Sequence, residues 1–146
     1  MKYYSGKFHP KNPKKYGGDS TNIIFRSLWE FRVMKYLDEN SSVIEWKSEE
    51  IPIPYYDPST MKHRRYFPDF IVKAKAAKGG TKTLMLEVKP KKQTLEPKVQ
   101  KKKTRSYITE VTTWATNQAK WKAAEEFCLD NGWDFVMITE DELGIK

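Results

Sequence analysis

Cys128 is the one cysteine of the chain, so no internal disulfide can brace the fold and stability has to come from a packed core. The two histidines, His9 and His63, lie too far apart in sequence to form a metal-ligand spacing, and both read as ordinary side chains. No apolar run approaches the length of a membrane span, and the opening "MKYYSGKFHPKNPKK" lacks the apolar stretch of a secretory signal. The expectation is a soluble protein kept in a reducing compartment, with no membrane partner. Acid is also scarce: 19 Asp and Glu stand against 27 Lys and Arg, giving +8 and a pI near 9.4. Such an excess draws a protein to polyanions, and nucleic acid, DNA in particular, is the expected partner.

What is present suffices for one domain. In 146 residues, 38% are apolar, and 8 Tyr, 7 Phe and 5 Trp supply bulky core material. About the first 20 residues carry Lys2, Lys7, Lys11, Lys14 and Lys15, broken by glycine and proline, and read as a basic arm without regular structure. A helix is predicted over residues 24–37 from the stripe Ile23, Ser27, Glu30, Met34 and Leu37, one member of which is an acid. Two short extended pieces follow, "VIEWK" and "EIPIPYY", the second marked as an edge by its prolines. A strand over 63–73, a turn at Gly79 and Gly80 and the strand "TLMLEVK" form a hairpin expected at the centre of the sheet.

Residues 90–108 change character to a proline-broken basic loop, mobile or ordered by DNA, with Lys91, Lys92, Lys98, Lys101, Lys102, Lys103 and Arg105 as phosphate contacts. A second helix over 110–131 keeps Trp114, Trp121 and Cys128 on one core-facing stripe and ends at Gly132. "WDFVMIT" is a last strand, and "EDELGI" a short turn or helix. The order of elements predicts an α/β fold, a small mixed β-sheet flanked by helices.

The chemistry concentrates in the hairpin. Glu87 and Lys89 are two apart on a strand and share a face, while Val88 packs on the other. Asp69, on the partner strand, comes near Glu87 if a bulge or offset is allowed. Two such carboxylates repel in a partly buried site unless a cation stands between them. Oxygen-only ligands favour a hard ion, Mg²⁺ or Mn²⁺, suited to phosphodiester hydrolysis, with Lys89 placed to hold or deprotonate the attacking water. Glu30 reaches the same site if its helix packs against the hairpin face. Asn117, Gln118 and Lys120, polar groups along the tryptophan stripe, are candidates for touching the scissile phosphate.

A helical Glu (Glu30), "PD" (Pro68, Asp69) and "ExK" (Glu87, Val88, Lys89) resemble the motif of the PD-(D/E)xK nuclease superfamily. The surrounding "SGKFHPKNPKKYGGD", "FRSLWE", "SEEIPIPYY", "RRYFPDF", "EVKPKKQT", "TWATNQAKWKAA" and "ITEDELGI" look like the head-completion nucleases of T-even-type tailed phages, over nearly the whole chain. A more distant likeness to endonucleases of the TnsA type rests on the helix Glu, "PDF" and "EVK". The resemblance implies a restriction-endonuclease-like core and metal-dependent cleavage of DNA, with Asp69, Glu87 and the Val88 carbonyl as metal ligands. It also implies action on packaged DNA, in the host cytoplasm during phage assembly or in the virion head, with portal and head–neck proteins as partners. Cutting both strands of a duplex would take two active sites, hence a homo-oligomer, or two successive visits. Two other readings stay open: a structural virion protein that binds the DNA end without cleaving, and a DNA-binding subunit of a recombination complex.

Overall fold

The computed structural model describes residues 5–144. Its centre is a four-stranded sheet built from β3 (Val43–Ser48), β6 (Phe70–Lys75), β7 (Thr81–Val88) and β8 (Asp134–Ile138), in that spatial order. β6 runs antiparallel to both β3 and β7, whereas β8 pairs parallel with β7 after the chain has crossed over through a long helix. Two further two-stranded sheets, β1 (Gly6–Phe8) with β2 (Ile23–Phe25) and β4 (Ile53–Asp57) with β5 (Lys62–Tyr66), lie outside it. The predicted mixed α/β sheet is the one observed.

Helices cover both faces of the sheet. On one, α1 (Leu28–Glu39) packs Val33, Met34 and Leu37 against Trp46, Phe70, Val72 and Leu86. On the other, α2 (Arg105–Asn131) packs Trp121, Ala124 and Cys128 against Ile71 and Met85, and the same core takes in Ile53, Tyr55 and Tyr66 of the outer hairpin. The period-2 alternation of β7 makes this division: Leu84, Leu86 and Val88 meet α1, and Met85 meets α2. Gly132, at φ 70°, caps α2 in the left-handed region as its sequence position predicts. A four-residue helix, α3 (Glu140–Leu143), closes the described chain; Ile145 of "EDELGI" lies outside it.

Four boundaries depart from the sequence reading. The first helix begins at Leu28, not near 24, because Ser27 caps it by accepting the Glu30 backbone N–H, and Ile23 is instead buried in β2. α2 begins at Arg105 rather than 110, with Thr104 accepting the Tyr107 N–H; the apolar spacing of Tyr107, Val111 and Trp114 runs on into these first turns, which are largely exposed. The strand predicted over 63–73 is two strands in two sheets, divided at Phe67, Pro68 and Asp69, where proline removes a ladder donor. The N-terminal segment is not a free arm. Phe8 and Tyr16 are core residues, Pro13–Lys15 form a 3₁₀ turn, and Asp38 of α1 accepts the Lys11 and Asn12 N–H groups at 2.9 and 3.0 Å. Lys2 lies outside the described residues.

The loop after β7 is partly ordered by contacts of its own: Lys91–Thr94 form a 3₁₀ turn, and Lys91 pairs with Asp141 at 3.2 Å. Among the described residues no helix is long and apolar enough to cross a membrane.

Candidate active site

The β6–β7 pairing sets the geometry. Lys75 faces Thr81 and Phe70 faces Leu86, and that register continued by one residue puts Asp69 directly opposite Glu87. No bulge is needed, because the connection uses residues 76–80 rather than two, with Gly79 and Gly80 at φ 93° and 74°. Asp69 and Glu87 both fall on the α2 face, two residues from Ile71 and Met85. Asp69 Oδ2 accepts the Val88 N–H at 2.7 Å, while the Lys89 N–H turns the other way to the Ile138 carbonyl at 2.9 Å.

Burial governs the charge state of this pair. Burial raises Asp69 well above the usual carboxylate range and Glu87 beside it raises it further; the Val88 N–H and Lys89 offset only part of this. Burial likewise pushes Glu87 up, against the Tyr66 hydroxyl that donates to Glu87 Oε2 and the charges of Lys89 and Lys120. The same neighbourhood drives the Tyr66 phenol far above its ordinary value, first through burial and then through the Glu87 charge.

Glu30 arrives by a different route from the one expected. α1 lies on the opposite face of the sheet, but Glu30 is at its N-terminal turn and reaches Asp69 past the strand ends. Oxygens of Glu30, Glu49 and Asp69 all lie within 4.8 Å of one another. Burial raises the Glu30 pKa, and Glu49 adds to it, while the Ser27 hydroxyl, which donates to Oε2 at 3.2 Å, and Arg26 lower it.

Glu49 was not singled out from the sequence. It follows β3 at a positive φ of 53°, and its N–H donates to the Asp69 carbonyl at 3.2 Å. Arg26 holds its carboxylate through two bonds, of 3.2 and 3.0 Å. The one signal was the acid pair in "KSEE" after a strand in an otherwise basic chain.

A cleft of about 650 Å³ opens over the acids, lined by Asp69, Glu87, Lys89 and Lys120 together with Arg64 and Arg65 of the outer hairpin. The Lys120 ammonium stands over the Tyr55 and Tyr66 rings at 5.9 and 5.8 Å. Of the three polar candidates on α2, Lys120 alone lines this cleft. Asn117 is buried beside Trp114 against the loop that follows β7, and Gln118 lines a separate cavity with Lys91 and Thr139. Lys92, Lys98, Lys101, Lys102, Lys103 and Arg105 are exposed on or beside that loop and do not line the cleft. Cys128 is buried, as its stripe position predicts, beside Met85. His63 lies at the rim of the cleft.

The donor set suits a hard divalent cation. Every carboxylate of the cluster offers oxygen, and the acids crowd against one another, half-buried, with too few cations to offset them. Basic side chains line the same cleft, where an anionic substrate would lie.

Comparison with known proteins agrees in kind. Residues 40–140 match the family model described as TnsA-like endonuclease N terminal, a span that contains Glu49, Asp69, Glu87 and Lys89. The chain is 39% identical over 144 residues to the head completion nuclease of Enterobacteria phage T4, covering 96% of this chain and 93% of that protein. The chain therefore belongs to the TnsA-like endonuclease family.

Proposed function

We propose that the protein is a metal-dependent nuclease of the PD-(D/E)xK type that hydrolyses DNA phosphodiester bonds during phage head completion. The observation that carries this reading is the facing pair Asp69 and Glu87, both pushed toward protonation, set under a wall of Lys89, Lys120, Arg64 and Arg65. Asp69, Glu87 and the Val88 carbonyl would hold Mg²⁺ or Mn²⁺. The carbonyl is a reasonable donor because the N–H and C=O of a strand residue point the same way, and the Val88 N–H points at Asp69. Bound there, the ion would neutralise and polarise the phosphate.

The chain's own groups do the rest. Lys89, two residues from Glu87 on the same face, holds the attacking water and takes up charge as the phosphorane forms. Lys120 and the two arginines pull the substrate phosphate down onto the acids. Glu30 and Glu49, whose oxygens crowd against Asp69, would offer further carboxylate oxygens to the ion, directly or through water, and Tyr66 fixes the rotamer of Glu87 through its hydroxyl. The exposed lysines after β7 add sequence-neutral phosphate contacts along the duplex.

The test is incubation of linear and circular plasmid with the purified protein, in Mg²⁺ and in chelator. Cleavage that requires Mg²⁺ and disappears in Asp69→Ala and Glu87→Ala supports the reading. Cleavage that survives both substitutions overturns the assignment of the site. DNA binding with no metal-dependent cleavage would make the protein a structural head component that binds the DNA end.

A further inference from the structure

The β4–β5 hairpin has two unlike faces. Its inner face, Ile53, Tyr55 and Tyr66, is buried against α2. Residues paired across the ladder share a face, so the pairs Tyr56 with His63 and Pro54 with Arg65 make up the outer one. Nothing packs on that outer face among the described residues: Tyr56 is 46% exposed, and Phe67, at the base of the hairpin, 41%. The two aromatic rings each stand against a nitrogen-bearing partner. Tyr56 and His63 meet edge to face at 5.2 Å, and the Arg65 guanidinium lies 5.8 Å from the centre of the Phe67 ring.

This face adjoins the acids directly, since His63, Arg65 and Phe67 line the same cleft as Asp69, Glu87 and Lys89. It is also held rigid. A two-stranded ribbon is marginal by itself, but Asp57 ties its turn with bonds from Ser59, Thr60 and Arg64 and fastens it to α2 through the Thr116 hydroxyl at 3.1 Å. Asp57 is the hairpin's one acid and is occupied by these partners, so the net charge of the outer face is positive.

The two basic regions of the protein therefore differ in kind. Residues 90–105 bring Lys91, Lys92, Lys98, Lys101, Lys102, Lys103 and Arg105 with no aromatic residue among them, a composition suited to duplex phosphates. The hairpin interleaves cations with exposed rings. Rings gain nothing from a paired duplex, whose base faces are stacked away, but each can stack on an unpaired base. We propose that the outer face of the β4–β5 hairpin, Tyr56, His63, Arg65 and Phe67, binds an unpaired DNA strand next to the cleft and directs the site to frayed, tailed or branched DNA. The proposal rests on the nuclease reading for its substrate and goes beyond it in naming the DNA form.

Binding is measured by fluorescence anisotropy in chelator, so that no cutting occurs, with a blunt duplex and the same duplex carrying a single-stranded tail. The full chain, the double variant Tyr56→Ala/Phe67→Ala and the milder Phe67→Leu, which keeps apolar bulk but removes the ring, are compared after thermal melts show each to be folded. The expected result is tighter binding of the tailed DNA by the wild type. The double variant should lose about tenfold or more on tailed DNA and less than about threefold on the blunt duplex, with Phe67→Leu intermediate. Equal affinity of wild type and variants on the tailed DNA overturns the proposal, as does an equal loss on both DNAs. Plasmid cleavage by the wild type in Mg²⁺ is read in parallel. If it occurs while the variants bind like wild type, the hairpin assignment fails and the nuclease reading stands. If it is absent while the tail preference falls in the variants, the hairpin assignment stands and the nuclease reading fails.

Discussion

The two ends of α1 each bring an acid into the interior, and their surroundings treat these acids in opposite ways. Asp38, near the C-terminal end, is 2% exposed and fully employed: its carboxylate accepts the Lys11 and Asn12 N–H groups, and its backbone carbonyl takes the Asn12 side chain and the Lys15 ammonium. Glu30, at the N-terminal end, faces Glu49 and Asp69, with Glu87 opposite Asp69 across the ladder. A buried carboxylate met by donors is a fastening, here of the N-terminal segment onto α1. Buried carboxylates met by other carboxylates cost stability, and the arrangement makes sense where a cation and a phosphate complete it.

The largest effect separating the two ends is on activity. Asp69→Asn or Glu87→Gln should lower Mg²⁺-dependent DNA cleavage by about a thousandfold, roughly 4 kcal/mol of barrier, in a plasmid nicking assay. The same variants should melt in chelator at or above the wild-type temperature, since each removes one of two facing acids. Asp38→Ala should do the reverse. It strands two backbone donors and should cost roughly 2–4 kcal/mol of stability in urea unfolding, with increased proteolysis near residues 9–20, while the folded fraction still cuts DNA. An Asp38→Ala protein as stable as wild type would erase the contrast.

Glu49 sharpens the comparison at the cluster itself. Glu49→Gln keeps the size of the side chain and removes one charge, and should weaken Mn²⁺ binding by about tenfold in a calorimetric titration; an unchanged constant would leave Glu49 as no more than the partner of Arg26. The smallest expected effect is on pH dependence. Asp69, Glu87 and Glu30 have folded pKa values above their unfolded values, near 4 for such groups, so the folded chain keeps protons that the unfolded chain has lost. In chelator the melting temperature should therefore fall as pH rises from about 4 through the raised values. Adding Mg²⁺ should restore a few degrees, more at pH 8 than at pH 5. A Mg²⁺ shift independent of pH would show that these acids do not take up the ion.

Much of the candidate site's placement could be read from residues alone because it depends on local pattern. The alternation in "TLMLEVK" sends Glu87 and Lys89 to one face, and Pro68 and Asp69 stand where the partner strand begins. The hairpin register needed the length of its connection, and two glycines suggest a two-residue turn where the chain uses residues 76–80. Glu49 stayed hidden because its place comes from the meeting of the end of β3 with the start of β6 and from a positive φ, neither of which leaves a periodic trace. The start of α1 was marked by Ser27 and Glu30, a cap and an acid three apart, but Ile23 extended the apolar stripe across it from a strand. The docking of the N-terminal segment depends on Asp38, an acid that helical spacing alone would place at the surface or in the core with equal ease.

The central claim is that Asp69 and Glu87 hold a divalent cation. Crystals soaked in Mn²⁺ and measured at the manganese absorption edge test it most directly. The account predicts an anomalous peak within ligand distance of Asp69 and Glu87, lost in crystals of Asp69→Asn. A peak elsewhere, with none between these two carboxylates, would contradict it.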